Sequence, residues 1–191
     1  MHQVQRRRGS PSTARGQPSL FGSARGIRIR PATVRDLETL RAHRRGMFVD
    51  MGVAPSRSLD GHDRRFIPWA RARLRKGELF GLIAESRDGV PVASGCVWLR
   101  EDQPRPWTER ERSPYIMSIY TLPEWRRRGV ANRIVRGLLR ACRRQGYPMV
   151  RLNASRMGLS VYEGLGFERT TEMRRWLDPS RKRAYFSKRR G

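Results

Sequence analysis

The chain has 191 residues and a formal net charge of +25, with 42 Lys and Arg against 17 Asp and Glu, and without a second hydrophobic block it reads as one domain. No apolar run is long enough to cross a bilayer and the first residues lack the apolar core of a secretion signal, which speaks against a membrane-spanning or exported protein and for a cytoplasmic one. Only Lys76, Lys182 and Lys188 are lysines; the arginine skew is what a GC-rich genome produces without selection for nucleic acid, and the charge favours acidic or phosphorylated ligands without choosing among them.

Residues 1–25, rich in Arg, Ser and Gly and free of acids, are expected to be a disordered basic tail rather than a transit peptide. Residues 27–30 alternate and stop at Pro31, as a first strand would. Thr33 and Asp36 have capping-box spacing for a helix running to about Asp50, with Val34, Leu37, Leu40, Met47 and Phe48 mostly on one face. His43, mid-helix among arginines, reads as a solvated surface residue. Residues 53–61 form a loop. A second helix over 62–76 would bury Phe66, Ile67, Trp69, Ala70 and Leu74, with Pro68 disturbing its early part. Residues 79–84 make a strand, Asp88-Gly89 a hairpin turn, and 90–99 a returning strand apolar enough to be covered on both faces. Residues 101–113 are polar and proline-broken, hence a loop. A strand is expected over 115–121, an amphipathic helix over 130–144, a strand over 149–154, a short helix over 159–165 ended by Gly166, and one or two strands over 167–177. Cys96 and Cys142 have neither metal nor redox spacing and fit buried thiols in a reducing compartment. His2, His43 and His62 have no metal-site spacing, so no metal is expected.

The order β-α-α-β-β-β-α-β-α-β, an antiparallel hairpin followed by a β-α-β unit, gives a mixed sheet with helices on both sides. Arg126-Arg127-Arg128-Gly129-Val130-Ala131 falls between the strand at 115–121 and the helix at 130–144. A glycine turn opening a helix leaves backbone N–H groups unpaired at the positive end of the dipole, a ready site for a pyrophosphate. By itself the hexapeptide fits equally an arginine-rich loop before an ordinary helix. The three-glycine spacing and later acid of a dinucleotide-binding turn are missing.

The segment Thr121-Leu122-Pro123-Glu124-Trp125-Arg126-Arg127-Arg128-Gly129-Val130-Ala131 resembles the V-x-P-x-x-R-x-x-G-x-G/A motif of the GNAT superfamily of acyl-CoA-dependent N-acetyltransferases. The amphipathic helix behind it and Tyr162-Glu163-Gly164-Leu165-Gly166-Phe167, similar to the Y-x-x-x-G-F near that family's last strands, extend the resemblance over about residues 26–177. The remaining residues, 178–191, would be a second basic tail. The resemblance implies a mostly antiparallel mixed sheet with a splayed central strand pair and helices on both faces. It implies that the amides of Arg128, Gly129, Val130, Ala131 and Asn132, with Arg126 and Arg127, hold the pyrophosphate of acetyl-CoA. Ile119, Tyr120 and Thr121 would pair with its pantetheine arm, and Tyr162 would be the general acid that protonates the leaving thiolate; otherwise Tyr162 is a packing tyrosine. Ser155 and Gly158 stand where the family carries N-x-x-A, so Ser155 is a weaker match for a coenzyme contact. No acid occupies 117–120. A base would be Glu85 or Glu111 through water, or no base is needed. Met47, Phe48, Asp50 and Met51 could line the acceptor pocket, although core packing explains the Met and Phe residues better. The implied partners are acetyl-CoA and an amine acceptor, with a monomer or homodimer as assembly. The rival reading is a basic nucleic-acid- or ribosome-associated adaptor that uses this fold without catalysis. Residues 6–8 and 188–190, both runs of basic residues, read better as solvated tails.

Overall fold

The computed structural model describes residues 26–53, 56–103 and 110–178. The N-terminal tail, most of the C-terminal tail and both terminal basic runs lie outside the described residues. Four strands form one antiparallel sheet in chain order: β1 (Arg28–Pro31), β2 (Leu79–Glu85), β3 (Pro91–Glu101) and β4 (Arg112–Thr121). The β2–β3 hairpin turns at Asp88-Gly89, where Gly89 has φ 77° and the Ser86 amide donates to the Val90 carbonyl at 2.9 Å. Every residue of β3 from Val92 to Val97 is buried, as a strand covered on both faces requires.

One cover is α3 (Val130–Arg144). Its Val130, Ile134, Val135, Leu138 and Cys142 recur at helical spacing and pack on Ala84, Ala93, Val97 and Ile116. Each fully buried Val, Leu or Ile contributes about 1.5–3 kcal/mol. The other cover is α1 (Leu37–Asp50) with α2 (Asp60–Arg75), which place Leu37, Leu40, Phe66 and Ala70 against Leu79 and Cys96. The Thr33–Asp36 capping box forms, on a short 3-10 turn that feeds α1. Asp36 also accepts two bonds from Arg30, and that guanidinium holds its carboxyl down at about 2. Buried Asp63 ties α1 to α2 by accepting from Arg41 at 3.1 Å and Arg45 at 2.7 Å. Pro68 lies inside α2 without ending it. Both cysteines are free and buried, and burial pushes the Cys96 thiol up to about 12.

His43 is not a surface residue. It is 5% exposed, its Nδ1 lies 2.9 Å from the Ser94 hydroxyl, and its ring packs beside Tyr120. The helix carries it at the same pitch as Leu37 and Leu40, so it faces the sheet and burial lowers its pKa.

The last strands also differ from expectation. Residues 149–154 contribute one parallel bridge, Tyr115 to Arg151, made by the Ile116 amide to the Arg151 carbonyl at 2.8 Å and the Arg151 amide to the Pro114 carbonyl at 3.1 Å. Beyond it β4 bulges: Ser94 faces Tyr120 but Cys96 faces Met117, and Ser118 takes φ 54° to absorb the extra residue. The bulge turns β4 away and ends the pairing. Residues 167–177 then have no ladder to join and run without regular structure, largely exposed. The early part of the predicted splay is thus present, and the outer edge of β4 from Met117 to Thr121 is unpaired among the described residues. A short helix, α4 (Leu159–Glu163), follows. No helix among the described residues is long and apolar enough to cross a membrane.

Candidate active site

A cleft of about 500 Å³ opens where β4 leaves its neighbour, walled by the end of α1, the outer edge of β4 and residues 153–162. Of the residues singled out in the sequence, Ile119, Tyr120, Thr121, Arg126, Ala131, Ser155 and Tyr162 line it. Met47, Phe48, Asp50 and Met51 line it too, none of them fully buried, so they form a cleft wall rather than core.

At one end of the cleft α3 begins. Gly129 is its N-cap with φ 74° and supplies no side-chain cap, and the first turn carries no acid. By contrast, α1 and α2 start with Glu38, Asp60 and Asp63. The amides of Val130, Ala131 and Asn132 have no acceptor within the helix, and a Cβ placed on Gly129 would meet nothing within 4 Å. Arg127, at φ 60°, and Gly129 give the turn two left-handed residues, a backbone feature found in anion-binding turns. Arg127, Arg128 and Gly129 are exposed, while the Val130 side chain is buried and leaves only its backbone for a ligand. The Arg128 guanidinium lies over the Trp125 ring, 5.1 Å from its centroid. This open, uncapped, acid-free helix start fits a pyrophosphate.

Arg126 points elsewhere. Its Nε donates to the Thr121 carbonyl at 3.1 Å, its Nη2 pairs with Asp50 and its guanidinium lies against the Tyr120 ring. The Tyr120 hydroxyl reaches α1 at Gly46, where a Cβ would sit 2.6 Å from it; only glycine leaves that room. Burial and the Asp50 charge raise the Tyr120 phenol.

Tyr162, on α4, stands edge-on to Phe167 with centroids 5.7 Å apart and is half-buried against the α3 core. Burial pushes its phenol up to about 12, so it carries its proton at neutral pH. Ser155 accepts from the Gly158 amide at 3.2 Å and shares the cleft wall. Glu85 is no candidate base: it is buried at the β1 side of the sheet, bonded to Arg28 and Arg30 at 2.6 Å each. Glu111 is exposed outside the cleft wall. No group of three or more potential metal-ligating side chains occurs among the described residues.

A four-stranded antiparallel sheet with an open edge beside an uncapped, glycine-led helix start defines an α/β domain with an anion-accepting turn next to a cleft. Residues 31–167 match the model of the acetyltransferase (GNAT) family, and the chain belongs to that family. No curated protein matches it. Among solved structures it is similar to a GCN5-related N-acetyltransferase from Ralstonia eutropha, with 28% identity, TM-score 0.73 and coverage of 80% of this chain and 99% of that one. A predicted acetyltransferase with acetyl-CoA from Clostridium acetobutylicum shares 25% identity, TM-score 0.70 and coverage of 80% and 94%. The aminoglycoside N-acetyltransferase AAC(6')-Iy in complex with CoA shares the fold at 22% identity, TM-score 0.62 and coverage of 84% and 99%.

Proposed function

We propose that the protein transfers an acetyl group from acetyl-CoA to a primary amine, acting in the cytoplasm as a monomer or homodimer. The observation that carries this reading is that one cleft joins an uncapped helix start, an unpaired strand edge and a protonated tyrosine. The amides of residues 128–132 hold the pyrophosphate, and Arg127 and Arg128 add positive charge at its mouth. Ile119, Tyr120 and Thr121 offer backbone groups for the amides of the pantetheine arm, with Ser155 opposite.

Once the acceptor's ammonium group has lost a proton to water, the neutral amine attacks the thioester carbonyl and negative charge gathers on the carbonyl oxygen. Backbone N–H groups on the open edge of β4 face that charge. The C–S bond breaks as the new C–N bond is kept, the sulfur leaves with the electron pair, and Tyr162 gives it a proton. Water takes the proton released by the amine and restores the phenol.

Thiol release from acetyl-CoA across a panel of primary amines, with Gly129→Glu as control, tests the proposal. The expected result is amine-dependent release that the control abolishes. A purified, folded chain with no detectable affinity for acetyl-CoA or CoA by calorimetry overturns it.

A further inference from the structure

The acid that β4 does not offer comes from α1. Asp50, the last residue of that helix, is the only carboxylate among the described residues lining the cleft. Its two cationic and phenolic neighbours are themselves fixed. Arg126 pairs with Asp50 Oδ2 while bonded to the Thr121 carbonyl, and Tyr120, whose phenol the Asp50 charge helps to raise, is wedged against Gly46. The Asp50 side chain is 26% exposed, so a face of it remains open to the cleft.

An alkyl amine reaches such a site as an ammonium ion, its pKa being close to the ~10.4 of a lysine side chain. It enters a protein of net charge +25 through a cleft wall that presents Arg44 and Arg126. One carboxylate offsets that repulsion. Met47, Phe48, Met51 and Met117 line the same cleft, and an ion pair in a partly apolar cleft is worth more than one in open water. We propose that Asp50 seats the acceptor's ammonium group, with Arg126 as the resident cation that competes for it. The acceptor class is then a primary amine on an apolar body. This inference rests on the acetyltransferase reading.

The test uses the full chain, with benzylamine as probe and benzyl alcohol as its neutral counterpart. Affinities are measured by calorimetry for the wild type, Asp50→Asn and Arg126→Gln. The wild type is expected to prefer benzylamine at least about tenfold, a difference of about 1.4 kcal/mol. Asp50→Asn erases the preference, and Arg126→Gln widens it because the competing cation is gone. A carboxylate that merely tethers Arg126 makes both variants behave alike, and that result overturns the proposal. So does a preference that survives Asp50→Asn. Acetyl-CoA is titrated in parallel. If it fails to bind while the Asp50-dependent preference persists, the transferase reading falls and the ammonium site stands. If it binds and no preference exists, the ammonium site alone falls.

Discussion

Gly129 separates the backbone cost of a substitution from its electrostatic cost. At φ 74° any other residue incurs the left-handed penalty of about 1–2 kcal/mol. With nothing within 4 Å of where a Cβ would sit, no steric cost adds to it. Gly129→Ala and Gly129→Glu therefore lose similar stability, a fall in Tm of about 2–8 °C for a domain of this size. They differ in charge. A glutamate carboxylate about 5 Å from one phosphate charge, at an effective dielectric constant of ~20, repels it by about 3 kcal/mol. Acetyl-CoA should bind Gly129→Glu about 10²-fold more weakly than Gly129→Ala, with calorimetry reading affinity and scanning calorimetry reading Tm on the same samples. Affinities within twofold of each other refute the placement of the phosphates at this turn.

Tyr162→Phe should lower kcat by about 10²-fold and leave acetyl-CoA affinity unchanged, as removal of a general acid requires; unchanged turnover makes Tyr162 a packing residue. With its phenol held up to about 12, the wild-type rate should show no loss of this acid through pH 10. Gly46→Ala places a methyl 2.6 Å from the Tyr120 hydroxyl; overpacking of about 1–3 kcal/mol, less about 1 kcal/mol of helix propensity, should lower stability by about 1 kcal/mol in urea unfolding. His43 is buried in its neutral form with a pKa below its ordinary 6.5. The unfolded chain therefore takes up its proton first, and the stability His43 contributes is present above pH 6.5 and lost as pH falls below it. Asp36 and Glu85, both held low by arginines, add a second decline below about pH 4. Urea midpoints that stay flat from pH 8 to 5 contradict the assignment for His43.

The elements with strong local signals were legible: the Asp88-Gly89 hairpin, the Thr33–Asp36 capping box, and the apolar stripe of α3. The arginine turn was legible because glycine and a following helix are both local facts. His43 was not, because its neighbours in sequence are arginines while its neighbours in space are Ser94 and Tyr120. The pairing of Asp50 with Arg126 spans 76 positions and has no periodic signature. The strands expected at 149–154 and 167–177 had β-like patterns, but a strand needs a partner edge, and the Ser118 bulge removes it after one bridge. The bulge left no trace in composition, since it uses serine where a glycine would have marked it.

Lys76, at the C-cap of α2, is the one lysine among the described residues. Guanidinium groups stay protonated at any physiological pH and are not acylated by thioesters, whereas a free ε-amine is. A surface charged almost wholly through arginine thus attracts anions while offering few ε-amines to acylation. If the proposed acetyl transfer operates, self-acetylation of side chains should be confined to those few lysines, with Lys76 the one among the described residues.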